Sequence, residues 1–484
     1  MTHPMILQVI TLLLPVVDVA HARPEDLTGA HSFDRSDEIA TLDSATGSVR
    51  VWYSVSGPNV ALLEDADADG VPDFPALVAS TAEAVLAFYS GLGLRPPVSD
   101  GSLGGDGAVD AYLLDFAGIG DGQFVSERCT DVGGASQCYG YFAMENDFSG
   151  YGYSDLGHAV RTLTSHELFH AVQAAYDAGE ESWWSEGSAT WGEWAFDPGN
   201  TDFLYLCDAY LADPSRSLDQ PPSGLSSFSY GTALWWTFLT QRFGDDILAD
   251  LLLATESGSS FRDDMAAVLT ANGGDLGVEW AEFARWNLAT GPRAGLMESY
   301  SFAASIGPPT AEARDRSWAD DYRFYPLAST YVEIQHRGGP LRFALAEEAP
   351  NLAFSLHAEA DEGALEPALD TWAGSLGVRE FGELPEGSYW LVASNPTLDE
   401  DSTKVLVCLG SDDEAVEPCL SALEAMEDSG GPGDSAAATP HSQSAKPPEG
   451  CGCGTDAGGA ARLWVLVAGL SGLLLLRRRP SRGG

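Results

Sequence analysis

Hydrophobic and polar positions change their period twice along the chain. SVRVWYSV (48–55) alternates, as a strand with one buried face does. PALVASTAEAVLAFYSGLGL (75–94) then reads as an amphipathic helix with Gly91 near its stop. GAVDAYLLDF (107–116) and CYGYFAME (138–145) read as strands, with a Gly/Ser-rich loop carrying Cys129 and Cys138 between them. From Asp155 to about Leu288 the period is helical, over segments 156–177, 187–195, 229–244, 245–255, 260–271 and 277–288. From about Ser301 to Cys419 alternation returns in YVEIQHR, LRFALAE, LAFSLHAE and SYWLVASN, separated by Gly/Pro/Asp turns. The pattern predicts an α+β chain: an N-terminal part at 23–155, a helical part at 156–300 and an all-β, sandwich-like domain at 301–426.

The two ends follow other rules. MILQVITLLLPVV is an apolar run of leader length, and Ala20-His21-Ala22 has the small-x-small pattern of a cleavage site, so 1–22 is read as a signal peptide. Its basic region is weak, with His3 in place of Lys or Arg. Residues 23–45 are polar and are read as a short pro-segment. Residues 427–454 form a low-complexity linker ending in Cys451 and Cys453. In 455–484, 14 residues separate Arg462 from Arg477, about 21 Å of helix against roughly 30 Å of hydrocarbon. Arg477, Arg478 and Arg479 orient such a helix with its end in the cytoplasm. Cys-Gly-Cys, a short apolar helix and an arginine cluster, in that order, resemble the MYXO-CTERM sorting tail of myxobacterial surface proteins. The resemblance implies removal of the helix by sorting machinery and anchoring of the new end at the cell surface; the alternative is a simple tail anchor.

Charge narrows the partners. With 72 acidic and 24 basic residues the formal charge is −48, which repels phosphate backbones and excludes nucleic acid as a partner class. Cysteine usage fits an oxidising compartment: Cys129 with Cys138 and Cys408 with Cys419 suit two local disulfides, and Cys207 is left as a buried thiol.

The chemistry concentrates in TSHELFHAVQAAYDAGEESWWSEGSATWGEWAF (164–196). HELFH puts His166 and His170 on one helical face, where both can present nitrogens to one ion. Glu167 lies about 100° round the helix, placed to reach a water rather than to ligate. Leu163, Leu168, Ala171, Val172 and Ala175 give an apolar stripe that buries the helix, and a pair of core histidines is the bland alternative. Catalytic zinc takes three protein ligands and leaves one position open. Tyr176 stands where a metzincin has its third histidine, so that extension fails. Glu186 opens a second helix whose Gly187, Ser188 and Ala189 allow close packing on the first. It is the expected third ligand, with Glu180 and Glu181 in the turn as rivals. Glu193, two turns on, is expected to orient a histidine. His158 is read as structural, and Tyr230, with Tyr176 as the other choice, as the donor to a developing oxyanion.

SHELFHAVQAAYD followed by WWSEGSATWGEW resembles the gluzincin arrangement. It is also closely similar to a family of secreted metalloprotease-like proteins of myxobacteria and relatives with the pattern HExFHxxQ…Y…W-x-E-G-x-A-x-W-x-E. That family also carries a DADxDGxPD loop and a GGDGxVDxYLLD strand, here GGDGAVDAYLLD (104–115). Over residues 50–290 the resemblance implies a zincin-like lobe, zinc on His166, His170 and Glu186, and Glu167 as general base.

DADADGVPD places Asp65, Asp67, Asp69 and Asp73 at positions 1, 3, 5 and 9 of an EF-hand-like calcium loop, with Gly70 at the turn. Position 12 is Ala76, so the bidentate carboxylate must come from elsewhere, with Asp106 and Asp110 as candidates. The leading expectation is an exported, surface-anchored zinc metallopeptidase acting on a protein or peptide, with calcium as a staple. The alternatives are a non-hydrolytic surface binding protein on the same scaffold, and a zinc hydrolase of a non-peptide bond.

Overall fold

VDAYLL is buried on both faces because it lies inside a sheet. Strands β1 (Ile39–Asp43), β2 (Val49–Ser54), β3 (Val109–Leu114), β4 (Gly122–Val132) and β5 (Ala135–Glu145) form a five-stranded sheet in the order β1-β2-β3-β5-β4. β2, β3 and β5 run parallel, and antiparallel β1 and β4 close the edges. Asp110 to Leu114 are buried throughout, as a central parallel strand requires. The computed structural model describes residues 23–27, 32–222, 226–315, 317–360, 363–397 and 401–429. The leader 1–22, most of the linker with Cys451 and Cys453, and the tail 455–484 lie outside the described residues. Among the described residues no helix is long and apolar enough to cross a membrane.

Helix α1 (Asp73–Gly91) and α2 (Leu156–Gln173) cover one face of this sheet. The other face, with Tyr112, Leu114 and Tyr141, is covered by Phe33, Leu27 and their neighbours. The segment read as a removable pro-segment is therefore part of the fold; its polar surface is the side it turns to water. Helices α3 (Ser182–Phe196), α4 (Asp202–Leu211), α5 (Ser227–Gly231), α6 (Ala233–Phe243), α7 (Asp246–Thr255), α8 (Phe261–Ala271) and α9 (Leu276–Leu288) complete the helical part. Asp155, Ser260 and Asp275 cap α2, α8 and α9, each side chain accepting a backbone N–H of the first turn. α3 is buried from Trp183 to Glu193, which makes it the central helix.

The C-terminal strands are β6 (Glu312–Asp315), β7 (Trp318–Phe324), β8 (Ala328–Leu345), β9 (Ala349–Ala358), β10 (Asp370–Gly374), β11 (Gly377–Asn395) and β12 (Thr403–Gly410). Where a sandwich was expected, these strands form one continuous seven-stranded sheet, β10-β9-β11-β8-β12-β7 with β6 on β8. Buried positions of β8 change phase across Gly338 and Gly339, at φ +82° and +107°, from Val332 and Ile334 to Leu341, Phe343 and Leu345. β11 carries its own register shift opposite, between Glu380 and Glu383. The domain is not all-β: α10 (Asp413–Ser429) packs Val416 and Cys419 against Ala344 and Cys408 and overruns the expected linker start. Pro418 inside it disguised the helix.

α9 serves two cores. Trp280, Phe283 and Trp286 belong to the helical core, while Ala284 and Leu288 pack on Tyr331, Trp390 and Val392 of the second sheet. Tyr331 donates to the Ala284 carbonyl at 3.0 Å, and the Arg293 guanidinium lies 4.0 Å from the Trp390 ring centroid. Disulfides join Cys129 to Cys138 and Cys408 to Cys419, and Cys207 is a buried free thiol. The first crosses directly between β4 and β5 rather than closing a loop, and the second ties α10 to β12. Two such bonds mark a chain that matures in an oxidising compartment outside the cytosol.

Candidate metal centre

α2 and α3 meet at a triangle of acceptor atoms. His166 Nε2 lies 3.1 Å from His170 Nε2 and 3.3 Å from Glu186 Oε2, and His170 Nε2 lies 3.5 Å from that oxygen. Tetrahedral zinc ligands at roughly 2.0–2.1 Å stand about 3.3–3.4 Å apart, so these edges match one ion's coordination shell. Glu186 is completely buried, and neither of its carboxylate oxygens has a hydrogen-bond partner among the described residues.

The far sides of the rings decide what the near sides offer. His166 Nδ1 contacts Glu193 Oε1 at 2.7 Å, and His170 Nδ1 contacts Gln173 Oε1 at 2.7 Å. The Gln173 amide is oriented by its own nitrogen, which donates to the Ser185 carbonyl at 2.9 Å and to Ser188 Oγ at 2.8 Å. Both Nδ1 atoms therefore face acceptors and carry hydrogen, leaving the two Nε2 lone pairs and a carboxylate oxygen converging on one point. Only a cation satisfies three converging acceptors. Without a metal ion a proton takes that part. Burial opposes charge on His166, but Glu186 and Glu193 outweigh it and hold its pKa well above the ordinary value. Burial also works against the Glu186 carboxylate, yet the two histidines bring it down to about 2. The donor set and its excess of buried negative charge fit a divalent ion of the zinc type.

Packing explains how the helices come so close. A Cβ on Gly192 would stand 2.7 Å from Tyr89 Oη and 3.1 Å from Phe169 Cδ2, so this glycine lets α3 onto α2. Gly187, assigned that part in the sequence, faces Thr232 and Trp236 instead, because it lies on the side of α3 turned to α5 and α6. Ser188 does face α2, through Gln173.

Glu167 is fully buried beside the triangle, with no hydrogen-bond partner for either oxygen among the described residues. Burial pushes it up to about 7, the two histidines pull it down and Glu186 adds to the rise. The start of β4 forms the wall over it: a Cβ on Gly122 would lie 3.0 Å from Glu167 Oε1. Asp121, next to that glycine, is also fully buried; Tyr153 donates to its Oδ2 at 2.7 Å and its Oδ1 has no partner among the described residues. Burial pushes Asp121 up to about 7, with Tyr153 opposing and Glu167 adding to the rise. Asp121 and Tyr153 were not singled out in the sequence, and Gln173 entered only as the Q of HExFHxxQ, without a role. Only Gln173, one turn past His170, stood on the motif helix where helical spacing flags it.

The Tyr230 ring stacks on His166, centroids 5.9 Å apart at 29°, and its buried hydroxyl has no partner among the described residues. Tyr176 is elsewhere: its hydroxyl accepts the Arg95 N–H at 2.9 Å under that residue's guanidinium. His158 pairs with Asp202 at 2.8 Å, away from the triangle. Glu181 accepts from the Trp183 indole at 2.8 Å. Burial pushes Glu180 up to about 7, with Asp177, Asp264 and Glu181 as its charged neighbours. The rival third ligands are thus engaged outside the site.

In the aspartate loop, Asp65, Asp67 and Asp73 bring carboxylate oxygens within 4.8 Å of one another. Asp69 does not join them; its carboxylate accepts the Val71 N–H at 2.8 Å, closing an Asx turn. Neither proposed twelfth-position substitute reaches the loop. Asp106 pairs with Arg50 at 2.7 Å, and Asp110 binds Arg23 and Trp52.

No protein-family model matches the chain, and no curated protein matches it. Among solved structures, the pre-peptidase C-terminal domain of a collagenase from Bacillus anthracis is similar over 21% of this chain and 97% of its own, at 11% identity and TM-score 0.18. A periplasmic inhibitor of g-type lysozyme from Aeromonas hydrophila is similar over 21% of this chain and 98% of its own, at 10% identity and TM-score 0.15. Likenesses at these scores carry no argument about fold or function.

Proposed function

We propose that this chain is a zincin-like zinc metallopeptidase of the myxobacterial type its motifs resemble, exported and held at the cell surface by its sorting tail. His166, His170 and Glu186 hold the ion, and Glu167 is the general base. The observation that carries the reading is the buried triangle of three acceptors with Glu167 unpartnered beside it. When bound, zinc supplies a Lewis acid that polarises a carbonyl and lowers the pKa of water towards about 7. Glu167, buried beside the triangle, takes and returns a proton. Tyr230, with its hydroxyl free on the histidine face, donates to the developing oxyanion. Glu193 and Gln173 keep the imidazoles in the ligating tautomer. The aspartate loop is proposed as a calcium staple, supported by its three gathered carboxylates.

One observation favours a second reading. His166, Glu167 and Glu186 are wholly buried, and His170, Tyr230, Gln173 and Glu193 are each no more than 5% exposed. Such enclosure suits a surface binding protein that holds the ion without hydrolysis.

The experiment is metal analysis of the purified full chain, with cleavage of casein and a peptide library, with and without chelator, beside Glu167→Gln. The proposal expects one zinc per chain, chelator-sensitive cleavage, and a Glu167→Gln protein that keeps zinc but loses activity at least about a hundredfold. Zinc without cleavage of these or of ester and glycan-amide substrates gives the site to the binding reading. Absence of stoichiometric zinc sinks both.

A further inference from the structure

Arg23, the first residue after the expected cleavage site, is only 4% exposed, which is unusual for an arginine near a chain end. Its guanidinium sits among three carboxylates from distant segments. Nε and Nη2 bind Glu127 of β4, with the Nε contact at 2.8 Å; Nη2 also binds Asp100, and Nη1 binds Asp110 of β3. These three side chains are 1–5% exposed. The Arg23 backbone nitrogen faces a fourth carboxylate at 3.0 Å, the Oδ2 of Asp26, which is exposed and caps the short 3-10 turn that starts there. One guanidinium among so many carboxylates leaves an excess of buried negative charge, and Asp100 Oδ1 has no partner among the described residues. Trp52 also donates to Asp110 and Arg50 acts on it at longer range, so Asp100 is the carboxylate shortest of partners, and buried charges left unpaired are costly.

We propose that this socket receives the mature N-terminus: hydrolysis between Ala22 and Arg23 creates a second cation at Arg23, and its docking completes the fold. Water adds across the amide under the leader peptidase of the export machinery, leaving a carboxylate on Ala22 and an α-ammonium on Arg23. The ammonium then has Asp26 as its first partner, while the guanidinium holds Asp100, Asp110 and Glu127. Burial pushes Asp110 up to about 6, against the pull of Trp52 and Arg23, as expected where carboxylates outnumber cations. The socket ties β3, β4 and the stretch before β3 together. Gly122, five residues from Glu127 on β4, walls Glu167, so leader removal and the candidate metal centre share a strand.

Amine labelling tests this directly, because Lys404 and Lys446 are the only lysines. The full chain, exported from a host that removes leaders, is treated with an acetylating N-hydroxysuccinimide ester at pH 7, folded and in urea, and read by mass spectrometry. The N-terminal peptide should begin at Arg23. Its α-amine should react about a hundredfold more slowly than Lys404 in the folded protein, and at an ordinary rate in urea. Arg23→Lys, which keeps the charge and loses the fork, should lower Tm by several degrees while keeping the α-amine protected. A mature chain that begins elsewhere, or an α-amine labelled as fast as Lys404 in folded wild type, overturns the proposal without depending on how any variant folds.

Discussion

Replacing Gln173 with leucine probes the assignment of the two imidazoles. Three hydrogen bonds are lost at once: the acceptor for His170 Nδ1–H and the two donors to Ser185 and Ser188. At about 1 kcal/mol net each, the metal-free protein should lose about 3 kcal/mol. The metal loses more selectively. With its Nδ1–H unpartnered, His170 can turn or change tautomer, and loss of such a partner weakens metal affinity about 10–100-fold, or roughly 1.4–2.7 kcal/mol. Competition against a fluorescent zinc chelator at fixed pH reads that change, with melting of the metal-free protein read in parallel. The two effects separate in a double-mutant cycle with His170→Ala. If Gln173 acts on the metal through His170, its effect on zinc affinity disappears in that background, while the stability loss to Ser185 and Ser188 persists. A folded Gln173→Leu protein with zinc affinity unchanged within a factor of about three would refute the tautomer argument.

Two further outcomes follow from packing and burial. Gly192→Ala should push α3 off α2 against Tyr89 and Phe169, costing about 1–3 kcal/mol and weakening zinc binding with it; a Tm equal to wild type refutes the close approach. In the second sheet, burial pushes His357 down to about 4, outweighing its bond to the Glu366 carbonyl. Its folded pKa lies below the unfolded value near 6.5, so its contribution is full above about 6.5 and is lost as pH falls towards 4, up to about 3 kcal/mol. Wild type should therefore lose more stability than His357→Gln over that window in thermal melts, and parallel curves would refute it.

The two histidines and Glu167 were legible because one turn of helix places them, and helical spacing is written locally in the chain. Glu186 and Glu193 were legible for the same reason on α3. The wall over Glu167 was not: Gly122 and Asp121 arrive at the far end of the β4–β5 hairpin, and the outer half of β4 is exposed and polar, so it read as loop although Gly133-Gly134 marks the turn. β1 and α4 escaped in the same way, being short and half-exposed. The aspartate loop shows a different limit. Residue types at positions 1, 3, 5 and 9 do not say which carboxylates gather: Asp67 and Asp69 both accept the N–H two residues on, yet Asp67 joins Asp65 and Asp73 and Asp69 does not.

α9 has the most practical consequence. A boundary at residue 300 separates two sequence patterns, but the helix before it lends one side to each core, and Tyr331 and Arg293 fasten the seam. A cut there leaves Ala284 and Leu288 bare on one fragment and Tyr331 and Trp390 on the other. The helical part and the second sheet should therefore melt in a single transition, and neither can be borrowed as a free-standing module.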